Sequence, residues 1–398
     1  MGEKQVLIVA TTGDFLLKFQ REEVKLLQRM GYLVRYAANF YEPPYVQDRA
    51  EIESLGVRTH QIPIARSPFL FRENAAALRR LLDLLERYPI GAVHCHTPVG
   101  GLLGRLAGRL TKAREVVVFY TAHGFHFYQG APLFHWLAYY PVERWLARYT
   151  DLLGVINQED YRAARRFRLK AGGSLWRLPG VGLDRGKFHP PSPEKRRKLR
   201  RELGLGEGDF FLLSAGELNE NKNHQVILEA LALLRRQNPR RPLPQYAICG
   251  EGFARPRLEA RIRELGLQGT AELWGHRRDM PRLLACADAT AFPSRREGLG
   301  MAGVESLAMG VPVLAGDNRG TREYMEQGKN GFLCPWDDPA AFAAGLAALM
   351  GRSPRQRQEM ARRCVDSARP FDKKYAAAVM ARAYREMDRK VRERSHGG

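Results

Sequence analysis

The stretch Glu297–Glu305 constrains this chain more than any other. It reads Glu-Gly-Leu-Gly-Met-Ala-Gly-Val-Glu, with the apolar run Ala289–Phe292 before it and Val311–Ala315 after it. That pattern predicts a strand, a loop, a helix and a second strand. The helix should open near Gly300 and close at Gly310, where glycine suits a C-terminal cap.

Glu297 then lies in the loop and Glu305 inside the helix, with the helix N-terminus between them. Free N–H groups and the positive end of the helix dipole make that terminus a seat for a pyrophosphate. A nucleotide-sugar has the matching layout, with sugar at one end, diphosphate in the middle and ribose at the other. Glu297 could meet the sugar while Glu305 accepts hydrogen bonds from ribose hydroxyls. Two other readings fit the same residues. Gly298-x-Gly300-x-x-Gly303 is literally a dinucleotide fingerprint, with Asp317 at a plausible distance for a ribose-binding acid. Against it, Ser294–Glu297 separates the strand from the first glycine. The other is a helix start of small residues packed close to a sheet. The nucleotide-sugar ranks first, packing second and nicotinamide third.

The 398 residues suffice for two domains, and 44% hydrophobic with 27% charged residues is ordinary for a globular protein. A net charge of +21 is not ordinary. The basic excess is spread over both halves, which favours a basic body facing an anionic surface or substrate over a nucleic-acid-binding arm. Compositional bias of the source genome would give the same count. Cys95, Cys249, Cys286, Cys334 and Cys364 are scattered without metal spacing and read as small buried residues in a reducing compartment. The start, Met1-Gly2-Glu3-Lys4-Gln5 followed by Val6–Ala10, is too short in apolar residues for a signal peptide or membrane span. Val6 also stands where a myristoylation motif needs Ser or Thr. These features predict a cytoplasmic protein whose membrane contact, if any, is peripheral.

Strand and helix patterns alternate through both halves. Val6–Ala10, Leu33–Ala37, Val57–Ile64, Ala92–His96, Val116–Tyr120 and Leu152–Asn157 read as strands of the first half. Gly13 follows the first strand; it either lets a backbone approach a phosphate or only makes the turn. His94 and His96 would share one strand face with Cys95 on the other, a placement that favours packing over a metal site. His123, at a strand's C-terminal end before Gly124, sits where ligands bind in open α/β sheets and could bond a sugar hydroxyl or the acceptor. The segment Leu133–Tyr149 combines aromatic and basic residues and reads as a helix lying on a membrane interface or as a core helix with a wet edge.

Pro190-Pro191-Ser192-Pro193 and the charged run Glu194–Arg201 mark a break in composition, placing a junction near residues 185–205. The second half restarts with the strand Phe210–Ser214 and the loop Ala215–Asn223. Lys222, between strand end and helix start, can neutralise a diphosphate as a mobile point charge. The expected fold class is α/β, with two doubly wound Rossmann-like domains facing a central cleft. Domains are expected at 1–190 and 191–370, with a C-terminal helix in 371–398 packing back on the first.

These segments resemble the family 4 retaining glycosyltransferases of the GT-B fold over nearly the whole chain. Glu297–Glu305 fits the family's E-x7-E pattern, and Gly216–Asn223, Gly250-Glu251-Gly252, Trp274-Gly275-His276 and Gly310–Val313 also fit. His96-Thr97-Pro98 and Thr121–Phe127 look like the subgroup that builds capsular and exopolysaccharide repeat units. The resemblance implies that Glu297 contacts the donor sugar, Glu305 the ribose and Lys222 the diphosphate. The N–H groups of Leu299, Gly300 and Met301 would help hold the diphosphate. Gly13 would lie near it, His123 at the reacting face, and His276 and Arg277 beside the base. Many members carry Arg where this chain has Glu217, so Lys222 and the helix dipole must suffice or Arg295 or Arg296 must substitute.

The implied reaction moves a sugar, from a UDP-sugar donor, to a hydroxyl with retention and without metal or cofactor. The implied acceptor is a polyprenyl-diphosphate-linked saccharide at an anionic inner membrane face. The alternatives are an NAD-dependent oxidoreductase, a UDP-sugar 2-epimerase of related fold and a basic nucleic-acid-binding protein. No nucleic-acid partner is expected on the leading reading.

Overall fold

The computed structural model describes residues 3–41 and 49–396. The Met1-Gly2 start and the last two residues of the expected 371–398 segment lie outside the described residues. By residue contacts the chain divides into two units, Met1–Gly182 with Lys374–Gly398 and Leu183–Lys373.

The first unit is built on a seven-stranded sheet of β1 (Lys4–Thr12), β2 (Tyr32–Asn39), β3 (Arg58–Gln61), β4 (Ile90–His96), β5 (Val117–Ala122), β6 (Leu152–Val155) and β7 (Ser174–Arg177). Its order is β3-β2-β1-β4-β5-β6-β7, and every pairing is parallel. β1 shows why its sequence reads as an unbroken apolar run: Val6, Leu7, Ile8, Val9 and Ala10 are all fully buried, because helices cover both faces of a parallel sheet.

The helix Pro98–Leu110 carries four glycines besides apolar residues at helical spacing, Val99, Leu102, Leu103, Leu106 and Leu110. Its glycines bring it flat against the sheet: a Cβ on Gly101 would lie 2.3 Å from the Tyr120 ring and one on Gly104 2.6 Å from Cβ of Cys95. Arg105 on the same helix is 1% exposed. Its guanidinium pairs with Glu143 at 2.7 Å and lies 3.9 Å from the centre of the Tyr120 ring.

The long helix Lys373–His396 packs on this first unit. Asp388 takes hydrogen bonds from Lys4 at 2.9 Å and Tyr32 at 2.8 Å, the Tyr384 hydroxyl meets His94 Nδ1 at 3.0 Å, and Arg394 donates to the Val116 carbonyl at 2.9 Å.

The second unit carries β8 (Phe211–Ala215), β9 (Gln245–Cys249), β10 (Ala271–Gly275), β11 (Ala289–Phe292), β12 (Val313–Gly316) and β13 (Gly331–Cys334). The order is β10-β9-β8-β11-β12-β13, again parallel throughout. The charged run read as a break in composition is an ordered helix, Pro193–Glu202, capped by the Ser192 hydroxyl. Arg196 and Arg200 anchor it on Asp288 at 2.7 and 2.9 Å, and Arg200 also donates to the carbonyls of Cys286 and Asp209. Arg196 and Arg200 therefore serve as packing residues, which composition alone does not reveal.

Both sheets reverse their strand order at one place, between β1 and β4 in the first unit and between β8 and β11 in the second. Strands that diverge at such a switch point leave a crevice outside their carboxyl ends, the usual ligand position in open α/β sheets.

Candidate functional site

At the second switch point the loops after β8 and β11 are tied to each other. The Arg295 N–H donates to the Asn221 carbonyl at 2.8 Å, and the Asn221 amide returns a bond to the Arg296 carbonyl at 3.0 Å. Asn223 has a left-handed backbone, φ 55°, and donates to the Trp336 carbonyl at 2.6 Å. The Asn219 side chain accepts from the Lys222 N–H at 3.0 Å. This lattice fixes Lys222, whose Nζ lies 2.6 Å from Oε1 of Glu297 and 5.2 Å from the centre of the Phe292 ring. Both side chains are mostly shielded, at 22% and 13% exposure. Glu297 is braced from behind: a Cβ on Gly320 would come within 2.8 Å of its own Cβ.

The helix Met301–Ala308 begins one residue after Gly300, which caps it in the left-handed region at φ 81°. Tyr324 sets its entry, donating to the Gly300 carbonyl at 3.1 Å. A Cβ on Gly303 would sit 2.2 Å from the Tyr324 hydroxyl, so that glycine is accounted for by close packing. Leu299 is buried and Gly300 and Met301 are partly exposed at the opening turn. Glu305 follows on the next turn, partly exposed beside Ala215, Met280 and Phe292. Burial lifts its carboxyl to about 7. A lone half-buried acid of this kind gains from hydroxyl donors that solvate it.

Arg277 is held by a two-pronged pair to Asp279 at 2.8 and 2.7 Å, beside Trp274. Glu217 is exposed. Of the arginines considered as its substitute, Arg295 lies 5.0 Å from the Trp336 ring centre and 3.7 Å from Glu220, while Arg296 is partly exposed. A hollow of about 190 Å³, lined by Glu220, His224, Arg257, Arg295 and Trp336, does not include Lys222, Glu297 or Glu305.

At the first switch point the ends of β1, β4 and β5 bring together Thr11, Thr97, His96 and His123. Thr97 has φ 62° and ψ 159°, a conformation that costs a non-glycine residue on the order of 1–3 kcal/mol. Its hydroxyl meets the Thr11 hydroxyl at 2.7 Å and accepts the Thr11 N–H at 3.1 Å, holding the strained turn. Gly13 donates to the Asn39 carbonyl at 2.9 Å, and a Cβ there would lie 2.5 Å from the Phe40 ring. Packing on Phe40 accounts for that glycine. His123 is partly exposed and touches His96, Nε2 to Nδ1 at 3.2 Å, with burial lowering its ring to about 4.

His94 and His96 point to one face, as strand alternation requires, with ring centres 4.1 Å apart and tilted by 50°, while Cys95 packs on the other near the Gly101 carbonyl. Among the described residues no group of three His, Cys, Asp or Glu side chains is placed to hold a metal ion. The bond from His96 to His123, the Thr11–Thr97 pair and the support from Asn221, Asn223 and Tyr324 had no signal beyond a strand-end histidine and an asparagine-rich loop.

Comparison with known proteins settles the class of this molecule. The family model for group 1 glycosyl transferases matches residues 195–370, and that for the glycosyl transferase 4-like domain matches 18–172. The Bacillus subtilis protein named "Putative glycosyltransferase EpsD" is 40% identical over 347 residues, covering 87% of each chain. This chain belongs to the group 1 glycosyltransferases. A UDP-Gal:alpha-D-GlcNAc-diphosphoundecaprenol alpha-1,3-galactosyltransferase of Escherichia coli is 27% identical over 74% of this chain and 75% of its own. The solved structure of Anabaena HepE with UDP and glucose superposes with a TM-score of 0.74 at 19% identity, covering 96% of this chain and 100% of that one. That likeness shows the GT-B fold. The glycosyltransferase motifs around Glu297 and Lys222 thus fall within the group 1 segment, and His123 within the 4-like domain. Among the described residues, no helix of this glycosyltransferase is long and apolar enough to cross a membrane.

Proposed function

We propose that this glycosyltransferase moves a hexose from a UDP-sugar to a hydroxyl of a polyprenyl-diphosphate-linked saccharide, with retention, during surface polysaccharide assembly. The observation that carries the reading is the Lys222–Glu297 pair at the carboxyl ends of β8 and β11, beside the N-terminus of the helix Met301–Ala308. On this reading the diphosphate takes Lys222 as its counter-ion and rests against the N–H groups of Leu299, Gly300 and Met301. Glu297 turns to the sugar hydroxyls, Glu305 accepts from the ribose, and Arg277 lies beside the base. Transfer breaks the bond from the anomeric carbon to the diphosphate oxygen and forms one to the acceptor oxygen on the same face. The acceptor proton leaves with the diphosphate. Lys222 and the helix dipole stabilise the charge that grows on the leaving group.

His123 is read as a contact to the reacting sugar or the acceptor, and Gly13 as a close backbone approach to the diphosphate. The lipid-linked class of acceptor is suggested by the name of the E. coli relative, and the donor class by the UDP held in HepE. The helix Leu133–Ala147 supports a membrane-surface location at the inner face of the cell membrane. Leu133, Phe134, Leu137 and Trp145 are exposed on it, with exposed Arg144 and Arg148 at its end. Such a face combines apolar insertion with attraction to anionic lipid.

Incubating the full chain with a panel of nucleotide-sugars and a bacterial lipid extract, followed by mass spectrometry, tests the reading. A hexose added to a polyprenyl-diphosphate saccharide is the expected product. Isomerised donor without acceptor, or tight NADH binding in place of UDP, would replace it with the epimerase or oxidoreductase reading.

A further inference from the structure

We propose that His96 is a positioning residue for His123: its Nδ1–H donates to Nε2 of His123, so that His123 carries its own proton on Nδ1 and offers it outward. The proposal rests on the reading of His123 as a site residue and goes beyond it by fixing which nitrogen acts and how.

His94, His96 and His123 form a row of imidazoles. His94 is anchored at both ends, Nδ1 on the Tyr384 hydroxyl at 3.0 Å and Nε2 on the Thr121 hydroxyl at 2.9 Å, and stacks on Phe119 at 4.1 Å. His96 lies against it at 4.1 Å, with Phe15 at 5.2 Å on another side. Both rings are 0% exposed, whereas His123 is partly exposed. Burial pushes all three rings down, His94 to about 3 and His123 to about 4, with His96 also well below its ordinary value. The row is therefore uncharged near neutral pH, and the tautomers are what remain to be chosen.

Between His96 Nδ1 and His123 Nε2, 3.2 Å apart, one nitrogen must donate and the other accept. If His123 donates, the proton of His96 sits on Nε2, which is buried and has no partner among the described residues. That leaves an orphaned N–H in the interior, the rarest kind of unsatisfied group. If His96 donates, Nε2 keeps only a bare lone pair and the buried N–H is satisfied. His123 then accepts at Nε2 and is protonated at Nδ1. Among the described residues Nδ1 of His123 has no hydrogen-bond partner, so its N–H is available to a ligand oxygen. The assignment makes His123 a donor toward a hydroxyl or phosphoryl oxygen and removes it as a general base at that nitrogen.

The test uses the full chain labelled with 13C and 15N in histidine, with signals assigned from His123→Gln and His96→Leu. Wild-type His123 is expected in the Nδ1–H form. His96→Leu should return it toward the Nε2–H form that free imidazole side chains favour in water. His96→Asn, whose amide nitrogen can take the place of Nδ1, should keep the Nδ1–H form. Release of UDP from UDP-glucose, UDP-galactose and UDP-N-acetylglucosamine with the lipid extract should fall about tenfold or more in His96→Leu, the scale on which orienting partners of functional imidazoles act. The binding of UDP itself should stay unchanged. A wild-type His123 protonated on Nε2 overturns the proposal without any substitution, and so does an unshifted tautomer in His96→Leu. Full turnover by His123→Ala removes the site role of His123 and leaves the tautomer assignment standing, so the two failures are distinct.

Discussion

The amine of Lys222 and the carboxylate of Glu297 form an ion pair at 2.6 Å across 75 residues of sequence. Each loop holds the other through the Asn221 and Arg295 bonds, so the pair sits at a fixed place between the ends of β8 and β11. Diphosphate binding would exchange one anion for another at Lys222 and free Glu297 to face the sugar.

Lys222→Met is therefore expected to weaken UDP binding, measured by calorimetry, and to lower transfer by about 10²–10³-fold, the usual effect of removing one group that stabilises a growing negative charge. Glu297→Ala should abolish transfer while the chain remains folded and binds UDP. Each single substitution breaks a partly shielded pair and should cost roughly 1–3 kcal/mol of stability in urea unfolding, between the values for exposed and buried pairs. Wild-type transfer by Glu297→Ala would remove that residue from the chemistry.

Glu305 carries a pH signature. Its folded value of about 7 stands above the ordinary 4.5 because burial disfavours the charged form. The folded chain holds the proton longer than the unfolded chain, so the Glu305 contribution to stability falls as pH rises from about 4.5 through about 7. Glu305→Gln should melt higher than wild type at pH 8, by roughly 1–3 kcal/mol, and no higher at pH 4. If the carboxylate accepts from ribose, the wild-type KM for donor should rise as pH falls below about 7, and Glu305→Gln should lose that dependence.

Gly303→Ala places a methyl where the Tyr324 hydroxyl stands, 2.2 Å away. Either Tyr324 releases the Gly300 carbonyl or the opening turn of the helix shifts. Overpacking of this kind costs about 1–3 kcal/mol. Thermal unfolding and UDP titration should both register the change, since the displaced turn is the one read as the diphosphate seat.

Glu143→Gln should unfold the first unit more easily, by about 3–5 kcal/mol, because it leaves the Arg105 charge buried without its partner. Arg105→Met combined with Glu143→Leu should recover most of the loss. A chemical-denaturation cycle over the four proteins measures the coupling directly.

Replacing Phe134, Leu137 and Trp145 together by Ser should reduce sedimentation with phosphatidylglycerol vesicles about tenfold or more, without changing UDP affinity, because the apolar part of an interfacial helix drives its insertion. Unchanged sedimentation would remove this helix from the membrane contact.

Much of the architecture is legible in the sequence because parallel strands buried on both faces leave unbroken apolar runs. Ala289–Phe292 is read to the residue, and the helix after Gly300 opens and closes at the two glycines that mark it. The helix Pro98–Leu110 keeps apolar residues at helical spacing, but the glycines Gly101 and Gly104 that let it lie against β4 and β5 read in the sequence as breakers rather than as contacts. The helix Pro193–Glu202 is hidden because Arg196 and Arg200 fold inward onto Asp288, against the expectation for a charged run. In the site, Glu297, Glu305 and Lys222 are visible by type and spacing. Their supports are not, since Asn223 acts through a left-handed backbone and Tyr324 through a carbonyl bond 24 residues away. The partnership of His96 with His123 joins two strands and leaves no spacing rule to detect.

The Lys373–His396 helix supplies Tyr384 to His94, Asp388 to Lys4 and Tyr32, and Arg394 to the Val116 carbonyl. The amino-terminal half therefore cannot be finished when it leaves the ribosome. It must wait while the entire second unit, Leu183–Lys373, is translated, on the order of 10–40 s at ordinary elongation rates. During that delay the back of its sheet stands uncovered, and a message truncated only a few dozen codons early would leave it so permanently.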